Sequence, residues 1–350
     1  MNKLYVIKPG EISGQLEGMI GRAVGNTETV MIEDPLSIPD VKNKKLLFAV
    51  ALNGAGYNIP LFQMLSKLQE RGVDALQGSQ GAILIHSPNE FYTKSMAQNI
   101  IFLANQLGCR FPGHPVIEAT GNLENFGTWQ KQLSLSRQEI CGELSEKLGR
   151  NFVKDHPVKI EKPKILALHA SSRKTSNTLA LWQMIAKHLD GYGVLEEFHV
   201  ANGTIVDCKG CSYTTCLHFG KKNECFYGGT IVQELLPAIE KADAIAWICP
   251  NYNDAISAQL MAVINRMTVL YRKIRLYDKS IFAVIVSGNS GSDSVAKQLI
   301  GGLTINKGFR LPPYFAITAT ANDPGTIIEV PGIERKAKNF AEHMMREIMA

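Results

Sequence analysis

Four of the seven cysteines lie close together, in the run CKGCSYTTCLHFGKKNEC. They are Cys208, Cys211, Cys216 and Cys225, spaced C-x2-C-x4-C-x8-C. Thiolates at this density indicate a metal site or a redox function, whereas scattered cysteines behave as small buried hydrophobic side chains. A zinc ribbon usually repeats C-x2-C in its second half, which this run does not, and a four-thiolate iron–sulfur cluster accepts more irregular spacing. A cluster, a zinc-stabilised loop and a metal-free thiol switch stay open as interpretations.

The remaining cysteines, Cys109, Cys141 and Cys249, lie beside apolar stretches, and we expect them to pack in the interior. His218 falls inside the cysteine run. We expect it at the surface, and the alternative is that it replaces one thiolate as a ligand.

From Lys164 onward the chain alternates apolar strands with amphipathic helices. This alternation predicts a parallel sheet covered by helices on both faces. Ligands of such sheets bind at the carboxyl ends of the strands, near the topological switch point. The loops after the first, third and fourth strands are therefore the candidate site. The five predicted strands are KILALHA, GVLEEFHV, ADAIAWICP, SIFAVIVSG and YFAITAT.

The first of these loops, HASSRKTSNT, has the composition of a phosphate site. The hydroxyls of Ser171, Ser176 and Thr178 precede or open a helix whose N-terminal N–H groups attract anions. Arg173 and Lys174 add positive charge to the same loop. The alternative is an ordinary polar turn in which a serine or asparagine caps the helix.

The other two loops suit a flat ligand. PNYNDAIS, from Pro250 to Ser257, supplies an aromatic side chain and two amides directly after a strand, although Asn and Pro are also common turn residues. SGNSGSD, from Ser287 to Asp293, consists of small residues whose backbone can approach a ligand closely. Because all three loops lie at one edge of the sheet, together they predict a single binding site.

These segments resemble a known family. LHASSRKTSNT is similar to the G-S-P-R-K-x-x-N-T phosphate loop of the NAD(P)H-dependent FMN reductases of the flavodoxin-like class, and PNYNDAISAQLMAVINR is similar to their P-x-Y-x-x-x-x-S-A-Q-L-K-x-x-I-D-R segment. The resemblance covers about residues 164–322. A cysteine-rich loop between the second and third strands marks the iron–sulfur flavoprotein branch of these proteins.

The resemblance implies FMN as cofactor, NAD(P)H as a donor, and a 4Fe–4S cluster on the four clustered cysteines. It also implies a role for each loop. Ser171, Arg173, Ser176, Asn177 and Thr178 would hold the phosphate; Pro250, Asn251, Tyr252 and Asn253 would line the isoalloxazine ring; Ser287, Gly288 and Asn289 would close the other side.

Two features depart from the family pattern. The branch shows C-x2-C-x2-C-x5-C or a nearby spacing, whereas the middle and last gaps are four and eight residues here. Asp254 stands where a glycine commonly follows the aromatic residue, so we expect the contacts to the ring to differ.

The amino-terminal half repeats the carboxy-terminal half. Residues 98–122 align with 298–322 without a gap, and ten identities include a shared Gly-x-Arg-x-Pro turn. KLYVIK, ETVMIED, LLFAVAL and GAILIHSP fill the first four strand positions. In the first loop of this copy, KPGEISG, Glu11 would repel a phosphate. We therefore predict a degenerate copy without an FMN loop, and hypothesise that it acts as a built-in partner covering the flavin or the cysteine loop.

The predicted fold class is α/β, with two flavodoxin-like, doubly wound, five-stranded parallel sheets in tandem. The predicted division gives the degenerate domain residues 1–125, a linking amphipathic helix 126–160, the FMN domain 161–330 and a terminal helix 331–350.

Composition narrows the class of partner. A formal charge of +5 over 350 residues is mild, and no basic stripe interleaved with aromatic residues is present, so nucleic acid is not expected. No apolar stretch approaches the length of a membrane span or a signal peptide, so we expect a cytoplasmic protein. The expected partners are small-molecule or protein electron donors and acceptors, and a second copy in a homodimer.

The predicted flavin site and the cysteine run are consistent with two functions. The first is an FMN-dependent oxidoreductase that passes electrons through the cysteine loop. The second is a flavin-binding electron carrier or redox sensor whose cysteine loop is a thiol or zinc switch.

Overall fold

The chain folds into two compact units, Met1–His156 and Pro157–Ala350. The computed structural model describes residues 3–171, 175–222 and 224–350. Each unit holds one five-stranded, all-parallel sheet, which confirms the predicted fold class.

The first unit orders its strands β2-β1-β3-β4-β5. This is the order of the flavodoxin-like doubly wound fold. The central strands are buried along nearly their whole length, which is why they are apolar runs rather than alternating ones. Its strands are β1 Leu4–Ile7, β2 Thr29–Ile32, β3 Lys45–Ala51, β4 Gln80–Ser87 and β5 Val116–Thr120. Its helices are α1 Gly14–Val24, α2 Ile59–Glu70, α3 Thr93–Gln106, α4 Gly127–Leu133 and α5 Arg137–Lys154.

The segment 126–160, predicted as one linking amphipathic helix, contains two helices, and that prediction was wrong. The chain turns at Ser134, whose φ of 53° ends α4. Ser136 then starts α5 with a capping box, in which its hydroxyl accepts from the Glu139 N–H and the Glu139 carboxylate accepts from the Ser136 N–H. The prediction of one helix used only the spacing of apolar residues. That spacing carries no information about these local polar contacts.

Helix α5 packs closely against α1 inside the first unit. A Cβ atom added at Gly149 would lie 1.8 Å from the carbonyl oxygen of Ala23, so only glycine permits this approach of the two helices. The helix is therefore part of the first unit's own packing.

The second unit repeats the strand order as β7-β6-β8-β9-β10. Its terminal helix packs on α6, and the methionines of that helix, Met344 and Met345, are buried as expected. The strands are β6 Lys164–His169, β7 Val194–His199, β8 Ala244–Pro250, β9 Ser280–Ser287 and β10 Ala316–Thr320. The helices are α6 Asn177–Lys187, α7 Tyr213–Gly220, α8 Leu236–Lys241, α9 Ala258–Arg266, α10 Thr268–Lys273, α11 Ser292–Leu299 and α12 Ile333–Ile348.

The internal repeat is visible in the backbone. Strands β4 and β5 end at the same repeat positions as β9 and β10. The Arg110 N–H donates to the Ser79 carbonyl at 3.0 Å, and the Arg310 N–H donates to the Lys279 carbonyl at 2.9 Å. The shared turn needs its glycine, because φ is 97° at Gly108 and the equivalent glycine has the same left-handed conformation.

None of the helices in the described part of the chain combines the length and apolar character that a membrane crossing needs.

Candidate functional site

The loops at the carboxyl edge of the second sheet enclose a cavity of about 740 Å³. This volume lies within the roughly 300–1,000 Å³ typical of cofactor and ligand sites. The cavity is bounded by the loops after β6, β8, β9 and β10, which the strand order brings together at the switch point. Its lining comprises Thr175, Ser176, Asn177, Thr178, Pro250, Asn251, Tyr252, Asn253, Asp254, Val286, Gly288, Asn289, Ala321 and Asn322.

The amino end of helix α6 opens onto this cavity. The Ser176 hydroxyl caps the helix by accepting from the Leu179 N–H at 3.1 Å. The positive end of the helix and its first N–H groups therefore face the cavity, as an anion site requires. Ser171 is buried just before this turn, and its hydroxyl has no hydrogen-bond partner among the described residues. Arg173, the predicted phosphate contact, lies outside the described residues.

Asn177 lines the cavity, but its amide group faces the protein. The Nδ2 atom donates to the carbonyls of Ala321, at 3.2 Å, and Asp323, at 2.8 Å. Its Oδ1 atom accepts from the Ile327 N–H at 3.3 Å. The side chain thus ties the loop after β10 to helix α6, and what it offers a bound anion is its backbone N–H.

A tight turn after β8 presents an aromatic ring to the cavity. Tyr252 and Ala255 exchange backbone hydrogen bonds across the turn, at 3.1 and 3.3 Å. The two residues between them, Asn253 and Asp254, have φ values of 52° and 58°. Positive φ at both positions is the requirement of a two-residue type I′ turn, where glycine is usual at the second position. Tyr252 is 60% exposed and lines the cavity, so its ring is available to a ligand.

Asn251 joins the loops that follow β8 and β9. Its Nδ2 atom donates to the Ser287 hydroxyl at 3.1 Å and to the Ser290 carbonyl at 2.8 Å. Its Oδ1 atom is buried and has no hydrogen-bond partner among the described residues. Ser287 is itself buried, lies 2.7 Å from the Ser292 hydroxyl, and supports the cavity from behind rather than lining it.

A side chain at position 288 would displace the end of a neighbouring side chain. A Cβ atom there would lie 2.7 Å from the Asn322 Oδ1 atom. Asn322 and Ala321 line the cavity and were not among the predicted site residues. They follow β10, the fifth strand. Applying the strand-end rule to that strand as well would have found them.

The four clustered cysteines surround a second, smaller cavity of about 80 Å³. One water molecule needs roughly 10–15 Å³ by this measure, and organic ligands need roughly 300 Å³ or more, so the space suits a small inorganic group. Among residues 3–171, 175–222 and 224–350, no three His, Cys, Asp or Glu side chains are placed to hold one metal ion. The cysteine side chains therefore border a cavity and do not converge on one point.

Short local contacts shape this loop. Ser212 caps α7 by accepting from the Thr215 N–H at 3.2 Å, and the Cys216 N–H donates to the Ser212 carbonyl at 2.9 Å.

Tyr227 lies beside three of the thiols. Desolvation, followed by the nearby Cys211, Cys225 and Cys208, raises the pKa of its hydroxyl.

The other three cysteines are buried, which confirms the expectation that they pack in the interior. Burial raises the pKa of Cys141 to about 11 and raises the pKa values of Cys109 and Cys249 further. They are therefore thiols rather than thiolates at neutral pH. His218 is exposed and does not line the cysteine cavity, as expected.

The corresponding edge of the first unit is built differently. Its first loop carries Glu11, and Ser13 caps α1 by accepting from the Leu16 N–H at 3.1 Å. The Ser13 hydroxyl also lies 2.9 Å from Nδ1 of His86, and burial lowers the pKa of that histidine.

Residues 163–322 match the family model of NADPH-dependent FMN reductases. The match spans every loop that encloses the larger cavity.

Several solved structures are similar over about half of the chain. RosB, solved with a bound formylated riboflavin phosphate intermediate, is 18% identical, with a TM-score of 0.41 over 52% of this chain and 75% of its own. The NAD(P)H:quinone oxidoreductase from Methanothermobacter marburgensis is 14% identical, with a TM-score of 0.40 over 52% and 94%. A WrbA-like flavodoxin from Agrobacterium tumefaciens is 12% identical, with a TM-score of 0.35 over 53% and 99%. A comparison with curated proteins found no match.

Proposed function

We propose that the second unit binds FMN in the 740 Å³ cavity and that the protein uses NAD(P)H to reduce an acceptor. The observation that carries this proposal is that the loops of the family match together enclose the cavity. When bound, the flavin supplies the two-electron and one-electron chemistry of the reaction. The protein supplies binding, orientation and electrostatics.

The residues present fit FMN in size and in chemistry. Two polar atoms, Asn251 Oδ1 on a residue that lines the cavity and Ser171 Oγ in the loop after β6, are buried without partners among the described residues. A buried polar atom without a partner costs about 1–3 kcal/mol, which a polar ligand can recover. The flat isoalloxazine ring of FMN matches the turn that carries Tyr252. Its anionic phosphate matches the amino end of α6.

The residues divide the binding task between them. Ser171, Ser176, Thr178 and the backbone at Asn177 would hold the phosphate together with Arg173. The ring would lie between two loop segments, Pro250 to Asn253 on one side and Gly288 to Asn289 on the other, with Asn322 at the edge. Ser287 acts indirectly, because it fixes the amide of Asn251.

We further propose that the four-cysteine cavity holds a 4Fe–4S cluster, which would make the chain an iron–sulfur flavoprotein. The support is that all four thiols line one small cavity that is closed to organic ligands by its size. A cluster occupies such a space as one compact body held by four thiolates. Electrons would then pass singly between the flavin site and an acceptor at the surface.

The alternative function is a flavin-binding electron carrier or redox sensor whose cysteine loop acts as a thiol or zinc switch. The exposure of Cys208 favours it, because an accessible thiol can change its oxidation state or exchange a metal.

An anaerobic absorption spectrum with metal and sulfide analysis tests the cofactors. Flavin bands, with a broad visible shoulder that bleaches on reduction, are expected. A colourless protein that cannot be reconstituted with FMN would overturn the main proposal, and zinc without sulfide would overturn the cluster alone. Steady-state NAD(P)H oxidation separates the two functions, because a carrier or sensor turns over negligibly without its protein partner.

A further inference from the structure

A buried arginine holds both ends of the cysteine loop. Arg266, the last residue of α9, is 5% exposed. Its Nη1 atom donates to the Val206 carbonyl at 3.2 Å, and its Nη2 atom donates to the Gly228 carbonyl at 2.7 Å. Val206 precedes the first cysteine of the loop and Gly228 follows the last, so one guanidinium group closes the loop at its base.

The neighbouring residue reinforces this closure. The Asn265 Nδ2 atom donates to the Asp207 Oδ1 atom at 3.0 Å, and the same oxygen accepts from the Cys208 N–H at 2.6 Å. Asn265 and Arg266 both line the cysteine cavity. The end of α9 is therefore the wall against which the four thiols are arranged.

The charge of Arg266 also needs compensation. Its hydrogen-bond partners among the described residues are two neutral carbonyl oxygens. A buried charge is stable when it is paired, and an isolated one costs several kcal/mol. The acidic groups that line the same cavity are the carboxylate of Glu224, the phenol of Tyr227 and the four thiols, and the thiols bind a soft metal or a cluster as thiolates.

We propose that Arg266 is the positioning residue of the cysteine site. Its forked guanidinium closes the loop at both ends and stabilises the negative charge of thiolates bound to an inorganic guest. This inference rests on the proposed thiolate-ligated function of the loop and assigns to one residue the task of keeping the four thiols together.

The same helix connects this site with the flavin site. Helix α9 starts directly after Ser257, at the end of the Tyr252 loop, and ends at Arg266. Nine residues at about 1.5 Å each place the two ends of the helix roughly 13 Å apart. Arg266 lies at the cysteine end and is not part of the flavin cavity, so its replacement should affect the two sites unequally.

The test is a Cd²⁺ titration of the reduced, metal-depleted full-length chain, followed by thiolate-to-metal charge-transfer absorption. The thiols border the cavity without converging on one point, so they must move together to bind an ion. The wild-type chain is expected to bind one Cd²⁺ through them in this way. Arg266→Met removes the charge and both hydrogen bonds, and we expect it to weaken Cd²⁺ binding at least tenfold. Arg266→Lys keeps the charge but loses the two-pronged geometry, so an intermediate loss of about threefold is expected.

The matched control is Arg272→Met. Arg272 also contacts the loop, but through the Tyr213 carbonyl at 3.4 Å and the Tyr213 ring, and it does not line the cavity. We expect its replacement to change Cd²⁺ affinity by less than twofold. FMN affinity and the unfolding temperature are measured for every variant, because a purely structural defect would lower them together with metal affinity.

The possible outcomes separate this inference from the proposed function. If the wild-type chain binds FMN but no Cd²⁺ through its thiols, or if Arg266→Met and Arg266→Lys bind Cd²⁺ as tightly as the wild type, the role of Arg266 is refuted. If the wild-type chain binds Cd²⁺ with the expected dependence on Arg266 but binds no FMN, the flavin proposal fails and this inference stands. If Arg266→Met does not fold, the Cd²⁺ affinity of Arg266→Lys relative to the wild type decides whether the inference stands.

Discussion

Replacing Asn177 by alanine tests whether its side chain builds the cavity or binds the ligand. The amide donates two hydrogen bonds to the loop after β10 and accepts a third from Ile327. A typical hydrogen bond contributes about 1 kcal/mol, and the third is long, so the expected loss is roughly 2–3 kcal/mol in the free energy of unfolding. With an m-value of about 2–3 kcal/mol/M, the urea midpoint of the second unit should fall by about 1 M.

The assay is urea unfolding of the flavin-free chain, followed by tryptophan fluorescence. Trp182 and Trp247 are buried in the second unit and report on it, and Trp129 in the first unit can be replaced by phenylalanine beforehand. Asn177→Asp is the companion variant. It keeps the acceptor, loses both donated bonds and turns a buried carboxylate oxygen toward two carbonyl oxygens, so we expect a loss at least as large as that of Asn177→Ala.

The matched control is Asn322→Ala. Asn322 lines the same cavity but does not tie the loop after β10 to α6. Its replacement should therefore change the free energy of unfolding by less than about 0.5 kcal/mol while weakening FMN binding. The reasoning is refuted if Asn177→Ala leaves the urea midpoint of the flavin-free chain unchanged and still abolishes FMN binding. That pattern would make the amide a direct ligand.

Three further expectations follow. Gly288→Ala places a Cβ atom 2.7 Å from the Asn322 Oδ1 atom, so the Asn322 side chain, which lines the cavity, must shift; we expect FMN to bind about tenfold more weakly by fluorescence titration, at nearly unchanged melting temperature. Burial lowers the pKa of His86 from 6.5, so the unfolded first unit binds more protons than the folded one and stability should fall as the pH drops below that value; His86→Gln should flatten this dependence in urea midpoints between pH 7 and 5, and an unchanged slope argues against it. A thiol reagent should modify only the four loop cysteines of the native, metal-free chain, because the other three are buried with raised pKa values; fast labelling of more than four would contradict the structure.

Much of the fold was predictable because its signals are short-range. Buried strands such as β4 and β9 are apolar runs bounded by turn residues, and the repeat placed the strands of one unit on those of the other. One incorrect element, the long helix divided at Ser134, failed because a capping box and one positive φ interrupt a periodicity that is otherwise continuous.

The candidate site was predictable to the level of loops. The strand-end rule, as applied, pointed to three of the four loops that enclose the larger cavity and missed the loop after β10. That rule locates loops but does not predict the direction in which each side chain points. Ser287 turns toward Asn251 rather than into the cavity, and Asp254 adopts a conformation usually reserved for glycine.

The sequence by itself determined two doubly wound units and the loops that meet at the switch point of the second, since periodicity and turn residues are properties of neighbours along the chain. It also determined that four thiols lie close together. Only the tertiary structure decided which atoms face a ligand. Asn177 bonds to a residue 146 positions away, and Arg266 to one 60 positions away, so packing between distant elements directs these side chains and no local pattern encodes it.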